Sequence, residues 1–490
     1  MRSAAGITQS SLGCAVRSVK ISLMEIVFIR PVAPFNRYIQ NVPLNYIHLA
    51  GYIRKQGHKA TILDMVVEED SSQVDQYLRN KGVEIVGIGC MTCELPDALA
   101  EARRLKENHP GIKIVFGGAH PSADPEECLK SGVVDYVIVG EGEIPLAALL
   151  DALDSGRAPK GISGVWALEQ GQVIGNTPAA IPNVEELPMP AYDLLNLDQY
   201  FKLDSPWHFP KSRKAVQYVS SRGCPYHCSY CHTIHGKKYR GMSAPKVVDE
   251  IERLVSGHGV EELMIVDDIF NFDLERAKDI CRSIVDRRLR VHLQFPNGVR
   301  GDRFDEELVS LMKQAGTHYM AIAIETTSDK YQKLIRKHLK LDQAMQTIKW
   351  ARKYNIEVCG FFMIGFPGET LEEIQETLDF AVSAPLDTIF ISLVSPFKGT
   401  VLRTDMMNGR FGEMDASGLV ALEQLFPTVH NEAFSVDVLR KLQRSAYWRF
   451  YLQPRPILNL GRRMTNWSNL KKVSRAIRRR VTESRISSLN

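Results

Sequence analysis

Two stretches of this chain, residues 24–155 and 213–400, alternate short apolar runs with amphipathic helical patterns, and that alternation constrains the fold most. In the first stretch the runs at Glu25–Arg30, Ala60–Asp64, Ile85–Gly89, Lys113–Phe116 and Tyr136–Val139 predict strands. Leu44–Gln56, Pro96–Asn108 and Pro125–Ser131 predict helices between them. In the second, strands are expected at Ala215–Ser220, Glu262–Val266, Val291–Phe295, Tyr319–Ile324, Glu357–Ile364 and Thr388–Leu393. The helical patterns there are Pro245–Ser256, Leu274–Arg288, Asp305–Ala315, Leu341–Tyr354 and Leu371–Ser383. Strands separated by helices pair in parallel and are wrapped by those helices. The expected class is therefore α/β: a doubly wound, Rossmann-like parallel sheet, then a partial (β/α)6 barrel, since six units fall short of a closed eight. Residues 1–23 lack periodic patterning and read as a disordered extension. Residues 156–212 read as a packed connector with a small hairpin at Val165–Leu168 and Val173–Ile174, and 401–490 as a helical C-terminal region with a basic tail.

Ligands of such sheets sit at the carboxyl ends of the strands, and the small and polar residues collect there. In the first stretch these are Gly87, Gly89 and Thr92, then Gly117, Gly118 and His120, then Gly140, Glu141, Gly142 and Glu143. Glycines let a bulky ligand approach the backbone, although tight turns need them too. At the end of the first barrel strand stands CPYHCSYC, with Cys224, Cys228 and Cys231 in a C-x3-C-x2-C spacing. Three clustered thiolates can hold three irons of a cubane and leave the fourth open to a small molecule. A structural zinc site remains the alternative, because His227, His232 or His235 could supply a fourth ligand.

Composition excludes several classes. A net charge of +4 over 490 residues marks no special partner, and an apolar fraction of 44% is ordinary for a globular chain. Nine cysteines in a chain this long form no secreted disulfide framework and suggest a reducing cytoplasm. No run of 18 apolar residues predicts a membrane span.

The segment CPYHCSYC, with the aromatic Tyr230 before its third cysteine, resembles the radical S-adenosylmethionine (radical SAM) superfamily. IVDDIF, IAIETTS and GFFMIGFPGET look like further stretches of that superfamily. The pattern FGGAHPSADPEE…VDYVIVGEGE resembles the cobalamin-binding domain that precedes the cluster domain in one large radical SAM class. The resemblance covers roughly residues 24–400. It implies a [4Fe-4S] cluster on Cys224, Cys228 and Cys231, with the methionine end of S-adenosylmethionine on the open iron and reductive cleavage to a 5'-deoxyadenosyl radical. It also implies S-adenosylmethionine contacts from Tyr230, Asp267, Arg300, Glu325, Ser328, Met363 and Gly365. Glu325 is the candidate for the ribose, Met363 to Gly365 for the adenine, and Ser328 and Arg300 for the methionine carboxylate. Helix capping by Asp267 or Asp268 and a surface charge at Arg300 are the plainer readings. Cobalamin contacts are expected from Thr92, Gly117, Gly118, His120, Gly140, Glu141 and Gly142. D-x-H-x-x-G is missing from this stretch, so cobalamin is expected without a histidine lower ligand.

The C-terminal region adds an aromatic helix, Asp437–Leu452, carrying Tyr447, Trp448, Phe450 and Tyr451. From Arg455 onward ten Lys or Arg face one acid, Glu483. A basic amphipathic tail can lie on an anionic membrane, whereas no stacking platform for nucleic-acid bases accompanies it. The expected partners are thus a small-molecule substrate of lipid or tetrapyrrole type, a flavodoxin or ferredoxin as electron donor, and peripheral contact with the inner membrane face from the cytoplasm. The expected activity is cobalamin-dependent C-methylation. The alternatives are a non-methylating cyclase, hydroxylase or carbon–carbon-bond-forming enzyme, and a non-catalytic corrinoid or iron–sulfur carrier.

Overall fold

The computed structural model describes residues 24–33, 41–68, 70–178, 180–203, 210–231, 234–411 and 435–463. The expected extension 1–23 and most of the basic tail lie outside the described residues.

The first sheet contains β1 (Glu25–Arg30), β2 (Lys59–Asp64), β3 (Ile85–Gly89), β4 (Lys113–Gly117) and β5 (Tyr136–Ile138), followed by β6 (Val165–Glu169) and β7 (Gln172–Gly175). Their order is β2-β1-β3-β4-β5-β6-β7. β1 to β5 pair in parallel, and the β6–β7 hairpin joins antiparallel to β5. The hairpin expected in the connector therefore extends the first sheet. The 2-1-3-4-5 order puts a topological switch between β1 and β3, where doubly wound sheets open a crevice for ligands. Helices Ser71–Lys81 and Glu143–Asp154 were not anticipated. The first is too polar for a clear stripe and is started by the Asp70 carboxylate, which accepts from Ser72 N at 2.9 Å. The second is apolar on most sides because it is buried against the helix Leu44–Lys55 and β6.

The second sheet runs β15-β14-β13-β12-β11-β8, all parallel. Its members are β8 (Ala215–Tyr218), β11 (Glu262–Ile265), β12 (His292–Val299), β13 (Thr317–Glu325), β14 (Glu357–Ile364) and β15 (Thr388–Leu393). β9 (Ser221–Arg222) and β10 (Arg240–Gly241) form a separate antiparallel pair. The strands are buried on both faces, as parallel strands wrapped by helices must be. The helix Ala244–His258 shows how the chain alternates: Ser243 Oγ accepts from Lys246 N at its start, and Gly259 at φ +64° ends it.

β15 is an edge strand, and the aromatic C-terminal helix, Val436–Tyr451, covers it. Ile391 N donates to Tyr447 Oη at 2.9 Å, and Gln443 Nε2 donates to Ile391 O at 2.7 Å. Both backbone groups of an exposed edge are thereby satisfied. Phe450 is buried in the core, whereas Trp448 is 68% exposed.

One apolar core runs through both domains, joining Phe28 and Ile47 on one side to Val216, Leu263 and Ile322 on the other through Leu187, Tyr192 and Tyr200. The connector seals this junction. Tyr192 Oη donates to Gln217 O at 2.6 Å, Tyr200 Oη donates to Asp64 Oδ2 at 2.6 Å, and Ala191 N donates to Ile47 O at 2.9 Å. The carboxyl ends of the two sheets share a cavity, lined by residues of both.

Candidate active site

The cysteine loop leaves the barrel at Gly223 and returns at β10, so the β9–β10 pair is its neck. Gly223 sits at φ +80°, and a Cβ there would collide with Lys238 O, so no other residue fits. Two neighbouring acids shape the exit. Asp267 accepts from Ser220 N, Ser220 Oγ and Ser221 Oγ, each at 2.6 Å, and Asp268 Oδ2 accepts from Gly223 N at 2.9 Å. Asp267 is thus neither a helix cap nor turned to a ligand. It is buried and committed to the strand end, and burial raises its pKa.

The loop itself is held from several sides. Lys237 Nζ donates to Tyr226 O at 2.6 Å, Ser229 N donates to Ile335 O at 2.9 Å, and Leu402 N donates to Ser229 O at 2.7 Å. The Arg300 guanidinium stacks 3.8 Å over the Tyr226 ring, a cation–π contact. It also donates from Nη2 to Asp302 Oδ2 at 3.1 Å and to His338 O at 3.0 Å, while its Nε lies 2.8 Å from Asp302 Oδ1 without hydrogen-bond alignment. Arg300 is therefore a brace under the loop and not a surface charge. Cys224 and Cys228 are half-buried and Cys231 is exposed. Burial raises the Cys224 thiol. Among the described residues no three His, Cys, Asp or Glu side chains are gathered into a metal-ion site. A cubane bonds each thiolate to a different iron, so its three ligands need no common point, and one half-exposed loop carrying all three thiols fits it.

Beside the loop lies an ion pair that the sequence did not reveal. Lys337 Nζ donates to Glu325 Oε1 at 2.9 Å and to Tyr230 Oη at 3.2 Å, and Tyr230 Oη donates to the same Glu325 oxygen at 3.0 Å. Lys337 and Glu325 are both buried. Burial, and then Glu325, drives the Tyr230 pKa well up, so its hydroxyl keeps its proton. The backbone is strained at three points here: Glu325 at φ +70°, Arg336 at +54° and His338 at +51°. None is glycine, and such strain is retained where surrounding contacts over-determine it, often at functional sites. Of the remaining expected residues, Met363 is half-buried and packs with Tyr230 against one apolar cluster. Gly365 N donates to Glu369 Oε2 at 2.7 Å, and Ser328 begins the helix Asp329–Leu334 without a side-chain capping bond.

The shared cavity has a volume of about 320 Å³. Gly87, Gly89, Gly117, Gly118, Gly140 and Gly142 line it from the first sheet, and Val219, Arg222 and Val266 from the barrel. A Cβ on Gly87 would stand 2.8 Å from the Phe28 ring, and one on Gly89 2.6 Å from Asn45 Nδ2, whereas one on Gly117 would meet nothing nearer than 3.9 Å. Gly87 and Gly89 thus make room for the protein's own side chains, while Gly117 leaves open backbone on the cavity, where a large ligand such as cobalamin fits. His48 also faces this space, and burial and then Arg222 push its pKa down to about 3, so it is neutral. Thr92 and His120 do not line the cavity. His120 Nδ1 is 3.3 Å from Thr92 Oγ1 and its Nε2 3.1 Å from Glu127 Oε2. Lys398 of the barrel reaches Glu127 Oε2 at 2.8 Å and Asp124 Oδ2 at 3.1 Å, so this group ties the two domains together.

Glu141 is likewise committed. Arg240 donates to both of its oxygens, Nη1 to Oε2 at 2.8 Å and Nη2 to Oε1 at 2.9 Å, and His235 Nδ1 lies 3.1 Å from Oε1. Hydrogen bonds from His235 and Arg240 overcome burial and hold its pKa down to about 2. Sequence reasoning did not single out Lys337, Tyr226, Arg222 or Arg240. The only local signal for Arg222 was its place directly before the Gly-Cys step.

Residues 218–381 match the radical SAM superfamily profile, and residues 33–150 match the B12 binding domain. An uncharacterized methyltransferase of Pyrococcus horikoshii is 30% identical over 450 residues, covering 89% of this chain and 95% of that one. Cytidylyl-2-hydroxyethylphosphonate methyltransferase of Streptomyces wedmorensis is 28% identical, covering 76% and 79%. Anaerobic magnesium-protoporphyrin IX monomethyl ester cyclase of Rubrivivax gelatinosus is 28% identical, covering 68% and 60%. Among solved structures, the radical S-adenosylmethionine methyltransferase TsrM from Kitasatospora setae has the same fold, with a TM-score of 0.68 at 18% identity over 81% of this chain and 77% of that one.

Proposed function

This chain belongs to the radical SAM superfamily, in the branch with a B12 binding domain ahead of the cluster domain, and from that membership we propose that it methylates an unactivated carbon of a large apolar molecule. It is an enzyme, and its cofactors are a [4Fe-4S] cluster, S-adenosylmethionine and cobalamin. When bound, these supply the radical that takes hydrogen from carbon and the methyl group that replaces it. The observation that carries the reading is the shared cavity, in which glycine edges of the first sheet and residues flanking the cysteine loop face the same space.

The chain's own residues bind, orient and exclude water. Cys224, Cys228 and Cys231 hold the cluster, while Asp268 and Arg300 keep their loop in place. Glu325 takes the ribose hydroxyls, its carboxylate held by Lys337 and aimed by the strained end of β13. Met363 to Gly365 offers an apolar edge with backbone groups to the adenine. Gly117, Gly140 and Gly142 form the floor for the corrin.

The C-terminal helices support an apolar substrate reached from a membrane surface. Trp448, Leu452 and Leu458 are 68%, 67% and 63% exposed, and the chain beyond Arg455 is strongly basic. No helix among the described residues is long and apolar enough to cross a membrane. This end docks the enzyme on anionic lipid at the cytoplasmic face, and the exposed Cys231 side of the loop receives electrons from a flavodoxin or ferredoxin. Co-sedimentation with phosphatidylglycerol vesicles, and none with phosphatidylcholine vesicles, is the expected outcome.

The deciding experiment is anaerobic turnover on a cell lipid and pigment extract with S-adenosylmethionine carrying a trideuterated methyl group. A product that gains that group supports methylation. The likeness to the cyclase favours a second reading, in which 5'-deoxyadenosine is released but no methyl is gained. Release of no 5'-deoxyadenosine would leave only a carrier.

A further inference from the structure

Two buried arginines stand opposite each other at the neck of the cysteine loop. Arg222 on β9 and Arg240 on β10 are direct partners in an antiparallel pair, so their side chains leave the same face. They are 4% and 7% exposed. Like charges directly opposite are destabilising in a sheet, and uncompensated buried charges far more so. Within the barrel domain this neck is therefore a local conflict. Its resolution comes from elsewhere in the chain. Arg222 Nη2 meets Glu143 Oε1 at 2.5 Å and its Nη1 lies 3.6 Å from Glu141 Oε1, while Arg240 takes Glu141 in a two-pronged pair. Glu141 lies in the loop after β5 and Glu143 is the first residue of the helix Glu143–Asp154, both on the first-sheet side of the cavity. Arg240 also donates to Ile181 O and His235 O, at 2.6 Å each, and Ile181 N donates to Glu141 Oε2 at 2.5 Å.

We infer that Glu141 and Glu143 are positioning residues for the iron–sulfur cluster: the upstream domain supplies the charges that let the neck of the cysteine loop close. The two arginines and two glutamates balance in charge only when the first sheet is seated on the barrel. The closed neck in turn fixes Gly223 and Cys224 directly after Arg222, and hence the cluster ligands. A misplaced upstream domain then loosens the cluster.

This inference rests on the cluster assignment, and the wild-type protein tests that first: anaerobic reconstitution must give a [4Fe-4S] signal in electron paramagnetic resonance after reduction. With that in hand, Glu141→Gln keeps the shape but replaces one acceptor oxygen by an NH2 and leaves Arg240 uncompensated, with Glu143 still on Arg222. Its cluster should be lost in air roughly tenfold faster or more, because an uncompensated buried charge opens the neck, although Glu141 is no cluster ligand. The double variant Glu141→Gln with Arg240→Gln removes the excess charge and should recover most of the wild-type cluster lifetime and the wild-type signal shape. Circular dichroism melting of each variant separates a folding failure from an open neck. Wild-type cluster lifetime in folded Glu141→Gln would overturn the inference, and so would a folded double variant whose cluster is as labile as that of the single one.

Discussion

The two parallel sheets meet at their carboxyl edges and use those edges in opposite ways. The first lines its edge chiefly with glycine, Gly87, Gly89, Gly117, Gly140 and Gly142, and places its charges, Glu141 and Glu143, on the barrel's arginines. The barrel fills its edge with committed charge: Asp267 on two serines, Arg300 on Asp302 and Tyr226, Lys337 on Glu325 and Tyr230. One architecture thus serves two tasks. A large preformed ligand is recognised by shape, so side chains are removed. A reactive loop that must not move is held by buried polar networks, which rigidify when fully satisfied.

The largest effect that sharpens this contrast is at the loop. Cys228→Ala should abolish release of 5'-deoxyadenosine from S-adenosylmethionine under strong reductant, read by chromatography. Cys359→Ala, inside β14, should retain it, because Cys359 is a buried packing residue of that strand. Activity surviving Cys228→Ala would dismiss the cluster assignment. On the glycine edge the expected response is a loss of binding without a loss of fold. Gly117→Leu meets no protein atom closely at its Cβ but extends into the cavity. The purified protein should then fail to retain cobalamin through gel filtration, by its visible absorbance, with a melting temperature near that of the wild type. Retention of cobalamin would show that the cavity floor lies elsewhere. Lys337→Ala should behave in the reverse manner. It strands a buried carboxylate at Glu325, which costs about 3–5 kcal/mol, and denaturant melts should show that loss with cobalamin content unchanged.

The same contrast explains what was legible in the sequence. Strand–helix alternation and the three cysteines depend on residue type and spacing, which tertiary packing does not alter. All six barrel strands and the five parallel strands upstream therefore stood close to where they were expected. Gly117, Gly118, Gly140 and Gly142 were expected at the ligand edge of the sheet, and they line the cavity there. Acids and bases at strand ends have many. Glu141, Thr92, His120 and Asp267 were expected on ligands, but the first three tie the domains together or each other, and Asp267 holds its own strand. That choice depends on which charge arrives from another part of the fold: Arg240 lies 99 residues from Glu141, and Lys398 lies 271 from Glu127. Lys337 was invisible for the same reason. The aromatic run at Tyr447–Tyr451 split because Tyr447 closes the β15 edge while Trp448 faces outward.

The smallest expected effect is a pH dependence located on the barrel edge. Glu369 accepts from Gly365 N and Phe366 N, and burial outweighs those bonds and pushes its pKa up to about 7 from 4.5. A carboxyl whose pKa is raised by folding binds its proton more tightly in the folded state than in the unfolded one. Its contribution is fully present below pH 4.5 and is lost as pH rises through about 7. At about 1.4 kcal/mol per unit the loss is on the order of 3 kcal/mol. Glu369→Gln keeps an oxygen for both amides and cannot ionise, so it should match the wild type near pH 5 and exceed it in stability at pH 8, measured by urea melts at both values. His48 on the glycine edge carries the opposite sign. Its pKa falls from 6.5 to about 3, so its contribution is present above pH 6.5 and is lost as pH falls toward 3. His48→Gln should therefore flatten the acid side of the stability profile, and Glu369→Gln the neutral side. If both variants flattened the same side, the assignment of one charge regime to each sheet edge would fail.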